Sequence, residues 1–164
     1  VHNEDFTKAN LFATIGPAGE GGIVLSGHTD VVPVDGQPWS TDPWETVERD
    51  GRLYGRGTSD MKTFVALCLA AVPDFIAAKP KRPIHFAFSH DEEVGCVGVR
   101  SLIAQLGARF PKPALCIVGE PTDMAVVNAH KGIRSFRTEV TGREAHSSQT
   151  DKGVNAVMIA AELI

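Results

Sequence analysis

A short apolar run followed by polar residues, IVLSGHTD at Ile23–Asp30, has the character of a buried strand that ends in reactive groups. Val and Ile favour extended chain, so we predict a strand over Ile23–Ser26. Two similar runs occur further along, at Ile84–Ser89 and Ala114–Val118. Histidine or acidic residues follow each of the three runs, so each predicted strand end carries groups that can do chemistry.

Stretches with helical spacing lie between these strands. Apolar and small residues recur at that spacing over Thr58–Ala78, which Pro73 interrupts or ends, and over Val97–Leu106. The alternation of strands and helices predicts an α/β fold with a twisted, largely parallel sheet and flanking helices. The pair Asp50-Gly51 is a turn signal, and it predicts a hairpin that includes Leu53–Tyr54.

The last part of the chain changes character. We predict a further strand at Ala125–Ala129 and a strand with one exposed face at Arg134–Thr141, where apolar and polar residues alternate. A polar loop at 147–151 follows, and Val154–Ala161 then has helical spacing. The chain opens at Val1 without Met and stops at Ile164 without a helix cap. We therefore expect both ends to be truncated, the C-terminal one early in a second domain.

Composition excludes several classes of protein. The 164 residues are 43% hydrophobic and 22% charged, as in ordinary globular domains, and carry a net charge of −4. The longest apolar run, Phe64–Val72, is far shorter than the roughly 20 residues of a membrane-spanning helix, and no signal segment opens the chain. No basic run exists beyond Lys79–Arg82. We expect neither nucleic acid nor a membrane as partner.

The three cysteines suggest a reducing compartment. Cys68, Cys96 and Cys116 are an odd number without a Cys-x-x-Cys pair, and each has apolar or small neighbours. We predict buried free thiols, no disulfide framework and no thiolate metal site. A cytoplasmic location is the corresponding expectation.

Five residues are the candidates for a metal centre, because strand ends of a parallel sheet meet at one edge. They are His28, Asp60, Glu92, Glu93 and Glu120. One imidazole with several carboxylates suits zinc, cobalt or manganese. Two divalent ions would balance three carboxylates and a hydroxide, whereas one ion would leave the cluster anionic. Taken singly, Asp60 is equally typical of a helix N-terminus, and the glutamates of solvated loops.

Adjacent glutamates can divide two roles between them. Side chains of successive residues in extended chain point to opposite sides, so Glu93 can face a metal while Glu92 faces water and substrate as the general base. Asp30, two residues after His28, is placed to accept the second imidazole N–H and to fix the tautomer. We interpret His2, His85 and His130 as structural, and His90 as an outer neighbour of the acidic cluster.

Other motif matches are weaker. Gly55–Asp60 lacks the last glycine of a dinucleotide-binding fingerprint. Ser59 and Lys62 match Ser-x-x-Lys, the nucleophile motif of penicillin-binding enzymes, but its companion motifs are missing. The activity of an acyl-serine hydrolase would survive treatment with EDTA, and the activity of a metal-dependent hydrolase would not.

Four linked motifs resemble those of a known family. They are SGHTDVVP at Ser26–Pro33, LYGRGTSDMK at Leu53–Lys62, DEEVG at Asp91–Gly95 and GEPT at Gly119–Thr122. Their order and spacing resemble the acetylornithine deacetylase, succinyl-diaminopimelate desuccinylase and carboxypeptidase G family of metallo-amidohydrolases. The resemblance covers nearly the whole chain.

This resemblance implies a di-zinc exopeptidase-like catalytic domain. In it, His28, Asp60 and Glu120 would bind one metal, Asp60 would bridge to a second at Glu93, and Glu92 would be the acid/base residue. Zn²⁺ is the first expectation, with Co²⁺ or Mn²⁺ as alternatives. A fifth ligand of the family, a histidine near the C-terminus of a longer chain, has no counterpart here, so the fragment alone is expected to be inactive.

The resemblance also implies a second domain. We expect 1–132 to be a partial catalytic domain and 133–164 to begin an α+β lid or dimerisation domain, in a full-length homodimer. The matching family histidine stabilises the oxyanion, which makes His146 a candidate catalytic residue.

Within the family, the segments around His130 and His146 are most similar to those of acetylornithine deacetylases. That similarity implies a small N-acyl amino acid substrate, N2-acetyl-L-ornithine, hydrolysed to ornithine and acetate in arginine biosynthesis. The alternatives are a succinyl-diaminopimelate desuccinylase, another N-acyl amino acid or dipeptide hydrolase of this family, and a non-catalytic binding or assembly module on the same fold.

Overall fold

The computed structural model describes the whole chain, Val1–Ile164. It divides into two compact units, Val1–Val126 and Val127–Ile164. The elements in chain order are β1 (Leu11–Ile15), β2 (Ile23–His28), β3 (Val47–Arg49), β4 (Arg52–Tyr54), α1 (Lys62–Ala70), α2 (Val72–Ala78), β5 (Ile84–Ser89), α3 (Val99–Ile103), β6 (Leu115–Val118), a 3₁₀ turn (Thr150–Lys152) and α4 (Ala156–Glu162).

The first unit is built on a mixed four-stranded sheet with the strand order β1-β5-β2-β6. Strand β2 pairs in parallel with both β5 and β6, while β1 adds an antiparallel edge against β5. The predicted α/β class and the predominance of parallel pairing are therefore confirmed. Helices α1 and α2 follow β4, and α3 follows β5, which gives the crossovers that parallel pairing requires.

Parallel pairing brings three strand ends to one edge of the sheet. In the register of β2 with β5, His28 lies opposite Ser89, and in that of β2 with β6, Ser26 lies opposite Val118. The chain leaves β5 into the acidic segment that contains Glu92, and it leaves β6 just before Glu120. The carboxyl edge of the sheet therefore collects the chemistry that the sequence distributes over distant positions.

Two hydrophobic clusters cover the two faces of this sheet. On one face Val24 and Ala87 pack with Leu102 of α3. On the other, Phe86 and Phe88 pack with Cys68 of α1. Successive residues of β5 thus serve opposite faces, which is the period of two expected of a strand with helices on both sides.

The helical stretch predicted over Thr58–Ala78 is interrupted near Pro73, as expected, and forms two helices, α1 and α2, which meet at Ala71. Pro73 lies in the first turn of α2, where its missing N–H is no loss. Continuing α1 through Pro73 would set the proline ring against the carbonyl of Leu69, so the break falls before the proline. The helix predicted at Val97–Leu106 is shorter, because hydrogen bonds three residues apart tighten the chain after Ile103.

The predicted hairpin is present. Val47–Arg49 pairs antiparallel with Arg52–Tyr54. Asp50 and Gly51 connect them with φ values of 53° and 69°. Positive φ at both central residues is the requirement of the turn that matches strand twist, and Asp-Gly meets it at little cost.

The strands predicted at Ala125–Ala129 and Arg134–Thr141 are wrong. Neither segment forms a strand, and Val126 and Phe136 are 97% and 86% exposed. Alternating or apolar sequence favours extended chain, but a strand needs a neighbour for its backbone groups, and these segments have none in this chain. The helix predicted around Val154–Ala161 is present as α4, and Asn155 caps it by accepting from two backbone N–H groups.

The prediction of three buried cysteines is also wrong for two of them. All three thiols are free, but only Cys68 is buried. Cys116 lies on the edge strand β6, every residue of which is exposed, and Cys96 lies in the turn that follows the acidic segment. His85, interpreted as structural, is buried in the sheet and makes hydrogen bonds with Thr14 and the Gly21 carbonyl.

None of the helices combines the length and hydropathy that crossing a bilayer would need.

The cluster around Phe86 gives a first prediction. Phe86 is 3% exposed, and truncation to alanine in Phe86→Ala removes a ring packed between α1, α2 and the sheet. We expect the free energy of unfolding, measured by urea titration, to fall by about 3–5 kcal/mol. Leu69→Ala removes a side chain on the exposed side of α1, 56% exposed, and should cost far less. Equal losses in the two variants would contradict this description of the core.

Candidate metal centre

His28 is the residue around which the acidic side chains gather. It ends β2 and is 2% exposed. Its Nδ1 lies 2.9 Å from the Asp30 carbonyl oxygen, which can only accept, so Nδ1–H donates there. Nε2 is 2.9 Å from Asp60 Oδ1, 3.7 Å from Glu120 Oε1 and 3.8 Å from Glu92 Oε2. When the ring is protonated, Nε2–H donates to Asp60, and when the ring is neutral, the Nε2 lone pair is available to a metal ion.

The same contacts change the acidity of the cluster. Burial by itself lowers the pKa of His28, but hydrogen bonds to Asp60 and to the Asp30 carbonyl outweigh it, so this pKa lies above its ordinary value. Burial, followed by the charge of Asp60, raises the pKa of Glu120. Perturbed groups collected at one place mark a candidate functional site.

Asp60 reaches His28 because the chain before α1 is held closely against the end of β2. Met61 is fully buried, and its Sδ accepts a hydrogen bond from the His28 backbone N–H at 3.3 Å. Gly57 has a φ of +88°, and a side chain there would meet Val31 at 2.8 Å. A glycine at this point therefore allows the close approach that sets Asp60 beside His28.

The sequence predicted that Glu92 and Glu93 point to opposite sides, but in the structure both lie near His28. An atom of each lies within 4.8 Å of a ring nitrogen of His28 and of the other glutamate. The reason is local: Gly95 N and Cys96 N both donate to the Glu92 carbonyl, so the two glutamates begin a turn instead of continuing the strand. In a turn, successive side chains diverge far less than in extended chain.

Asp30 contributes to the cluster in two ways. Its backbone carbonyl, and not its carboxylate, is the near acceptor of the His28 N–H, since the carboxylate oxygen is 3.5 Å away. The carboxylate instead accepts the backbone N–H groups of Glu92 and Glu93, at 3.2 and 3.0 Å. Asp30 therefore orients both the imidazole and the acidic turn.

The donor set fits divalent metal ions. Two groups of possible ligands share His28, one with Asp60 and Glu120 and the other with Glu92 and Glu93. No lysine or arginine of the chain forms a salt bridge with Asp60, Glu92, Glu93 or Glu120. An imidazole with several oxygen donors and no compensating cation suits zinc, cobalt or manganese. All four predicted ligands lie in these two groups.

Three other residues that the sequence singled out do not belong to either ligand group. His146 belongs to the second unit and is exposed, with Nδ1 accepting the Ser148 N–H at 3.2 Å. Ser59 and Lys62 make no hydrogen bond with each other. An open cleft at the opposite edge of the sheet, beside Ile23 and Leu115, has no histidine or carboxylate in its lining.

Sequence reasoning missed two neighbours of these residues. Cys96 donates from its thiol to Glu92 Oε1 at 3.3 Å, and this hydrogen bond, with burial, raises the pKa of the thiol. Met61 anchors the backbone of His28. The spacing of four residues between Glu92 and Cys96 was a usable signal for the first contact, but only if the segment is known to turn. No sequence signal indicates the second.

Comparison with known proteins supports the same chemistry. A sequence profile of Peptidase family M20/M25/M40 matches residues 24–163. Acetylornithine deacetylase from Proteus mirabilis is 41% identical over 157 residues, 96% of this chain and 40% of that protein. The protein of that name from Photorhabdus laumondii is 42% identical over 161 residues, 98% of this chain and 41% of that protein. This chain therefore spans about 40% of the length of these relatives.

Two solved structures resemble this one in fold. Human carnosine dipeptidase 1 has a TM-score of 0.57 and 33% identity, over 66% of this chain and 24% of that one. An M20 family metallo-carboxypeptidase from Sulfolobus solfataricus has a TM-score of 0.59 and 22% identity, over 67% of this chain and 25% of that one. The second likeness concerns the fold alone.

The sheet, the metal-binding donor set and the profile match together define a metallohydrolase of the M20 class. The chain belongs to Peptidase family M20/M25/M40. Relatives named acetylornithine deacetylase cover nearly all of it.

The donor set gives a second prediction. Asp60→Asn in the full-length protein keeps the shape of the side chain but removes the charge nearest to His28 Nε2. We expect Zn²⁺ affinity, measured by calorimetry, to fall by more than the ~10–100-fold lost when only an outer hydrogen-bond partner of a ligand is removed.

Asp50→Asn is the matched control for this variant. Asp50 lies in the hairpin turn with a φ of 53°, a conformation that asparagine adopts readily. It makes the same change of charge away from His28, and it should bind Zn²⁺ like the wild type. Wild-type affinity in Asp60→Asn would remove Asp60 from the ligand set.

Proposed function

We propose that the full-length protein is a metal-dependent amide hydrolase that removes the acetyl group from N2-acetyl-L-ornithine, giving L-ornithine and acetate. The observation that carries this proposal is the buried imidazole of His28, whose Nε2 lies 2.9 Å from Asp60 and 3.7 Å from Glu120, carboxylates that no lysine or arginine neutralises. The relatives named acetylornithine deacetylase support the choice of substrate. Arginine biosynthesis, a cytoplasmic location and a homodimer complete the proposal.

In this proposal His28, Asp60, Glu93 and Glu120 hold two divalent ions, Zn²⁺ first and Co²⁺ or Mn²⁺ as alternatives. Such ions, when bound, polarise an amide carbonyl and lower the pKa of water. Asp30 keeps the imidazole and the acidic turn in place through its carbonyl and carboxylate.

Glu92 is the proposed acid/base residue. It takes a proton from the attacking water at its carboxylate and returns that proton to the amide nitrogen as the ornithine product leaves. Oε2 of Glu92 is 3.8 Å from His28 Nε2, and the Cys96 thiol donates to its Oε1. One carboxylate oxygen is thus held by the chain while the other faces the cluster.

His146 is the proposed oxyanion donor. Because its Nδ1 accepts the Ser148 N–H, the neutral ring carries its hydrogen on Nε2, and the side chain is exposed. That tautomer has an N–H free to donate to a developing oxyanion.

Dipeptide hydrolysis is the second candidate function, favoured by the 33% identity to a structure described as human carnosine dipeptidase 1. The full-length protein should be assayed with N2-acetyl-L-ornithine, succinyl-diaminopimelate, simple acetyl amino acids and dipeptides, before and after EDTA. Preference for acetylornithine, lost with EDTA and restored by Zn²⁺, supports the proposal. Preference for a dipeptide favours the second candidate, and no hydrolysis favours a binding or assembly module.

The proposed role of Glu92 gives a third prediction. Glu92→Gln cannot carry the proton, so kcat should fall by about 10²–10⁴-fold while metal content stays near that of the wild type. Metal content is measured by atomic absorption beside the kinetics. Glu48→Gln, on the exposed hairpin strand β3, is the control and should retain its kcat. Lost metal in Glu92→Gln would make Glu92 a ligand, and unchanged kcat would end its assignment as the base.

The proposed role of His146 gives a fourth prediction. In full-length protein His146→Ala should lower kcat by about 10²–10³-fold, the usual loss of one oxyanion donor, with metal content unchanged. His130→Ala removes another exposed histidine of the same unit and should leave kcat as it is. If kcat also stays the same in His146→Ala, His146 is an ordinary surface residue.

A further inference from the structure

A chain of polar contacts links the N-terminal segment to the acidic turn. Lys8 Nζ lies 2.6 Å from Asp91 Oδ1, and His90 Nδ1 lies 2.9 Å from Asp91 Oδ2. Both oxygens of this carboxylate therefore have a partner. Asp91 directly precedes Glu92, so contacts that fix the position of Asp91 also fix the start of the turn.

Asp91 has the backbone conformation that makes the turn. Its φ is 55°, in the left-handed region that aspartate visits more readily than most residues. Its carbonyl accepts the Val97 N–H at 3.1 Å, beside the hydrogen bonds that Glu92 receives from Gly95 and Cys96. This bend at Asp91 leaves both glutamates on the side of His28.

Asn10 ties the same segment at a second point. It is 3% exposed, its Oδ1 accepts the His90 N–H at 3.3 Å, and its Nδ2 donates to the Gly98 carbonyl at 2.8 Å. Residues on either side of the acidic turn are therefore fastened to the chain just before β1. Lys8 and Asn10 reach the turn from the same short stretch.

We propose that Lys8, acting through Asp91, is a positioning residue for the Glu92–Glu93 turn. The importance of this turn rests on the function proposed above, in which Glu93 holds metal and Glu92 moves the proton. The Lys8 side chain is 50% exposed, and ion pairs of that kind contribute little to the stability of a whole protein. The effect of Lys8 is therefore local: it fixes the Asp91 carboxylate, and this in turn fixes the bend of the chain at Asp91.

The experiment compares Lys8→Met, Lys8→Arg and the control Lys81→Met in the full-length protein. Lys81 makes no salt bridge, so its variant reproduces the loss of charge alone. Amide hydrogen exchange is followed at Gly95 and Cys96 without metal, and Zn²⁺ affinity is measured by calorimetry. Where hydrolysis is detected, kcat and KM are measured at saturating Zn²⁺.

We expect Lys8→Met to speed exchange at Gly95 and Cys96 and to weaken Zn²⁺ binding by about 10-fold, the lower end of the effect of removing an outer partner. Because the Glu92–Glu93 turn would be formed in a smaller fraction of the molecules, kcat should fall while KM stays the same. Lys8→Arg keeps the ion pair with Asp91 and should restore all these values, and Lys81→Met should match the wild type. The melting temperature should be equal in all four proteins.

Wild-type exchange or wild-type Zn²⁺ affinity in Lys8→Met would overturn the proposal, and so would an equal change in Lys81→Met. Failure of the proposed function has a different signature. If Glu92→Gln keeps its kcat, or if no substrate is hydrolysed, the reaction assignment fails while exchange and Zn²⁺ affinity still decide the role of Lys8.

Discussion

The hydrogen bond from His28 Nδ1–H to the Asp30 carbonyl is the constraint on which the site depends. It directs Nε2 of a buried imidazole, at the end of a central strand, toward the carboxylates. Asp60 and Glu120 lie 2.9 and 3.7 Å from that atom, which can donate to them when protonated or bind a metal ion when neutral. Without that hydrogen bond, nothing would hold Nε2 toward these carboxylates.

The sheet explains why residues so far apart along the chain share this atom. Strand β2 has parallel neighbours on both sides, so the ends of β5 and β6 arrive at the same edge as His28. Glu120 follows β6 directly, and the acidic turn follows β5. Asp60 arrives by another route, through the buried Met61 that is bonded to the His28 backbone. Parallel pairing and one sulfur contact thus assemble a single cluster.

Much of this was accessible from sequence. The apolar runs of β2, β5 and β6, the Asp-Gly hairpin and α4 are where patterning predicts them. The four candidate carboxylates, Asp60, Glu92, Glu93 and Glu120, do come together around His28. These predictions succeeded because they depend on local preference and on one general rule, that the carboxyl ends of parallel strands share an edge.

Tertiary structure decided the rest. An apolar run predicted a strand at Ala125–Ala129, and alternation predicted one at Arg134–Thr141, but a strand needs a pairing partner that no pattern within the segment specifies. The directions of the Glu92 and Glu93 side chains depend on the turn that begins at Asp91. Lys8 contacts Asp91, and Asp30 accepts the Glu93 N–H. Residue types and their order are local information and determine which chemistry is possible. The direction of each side chain depends on contacts between distant segments, which only the folded chain brings into being.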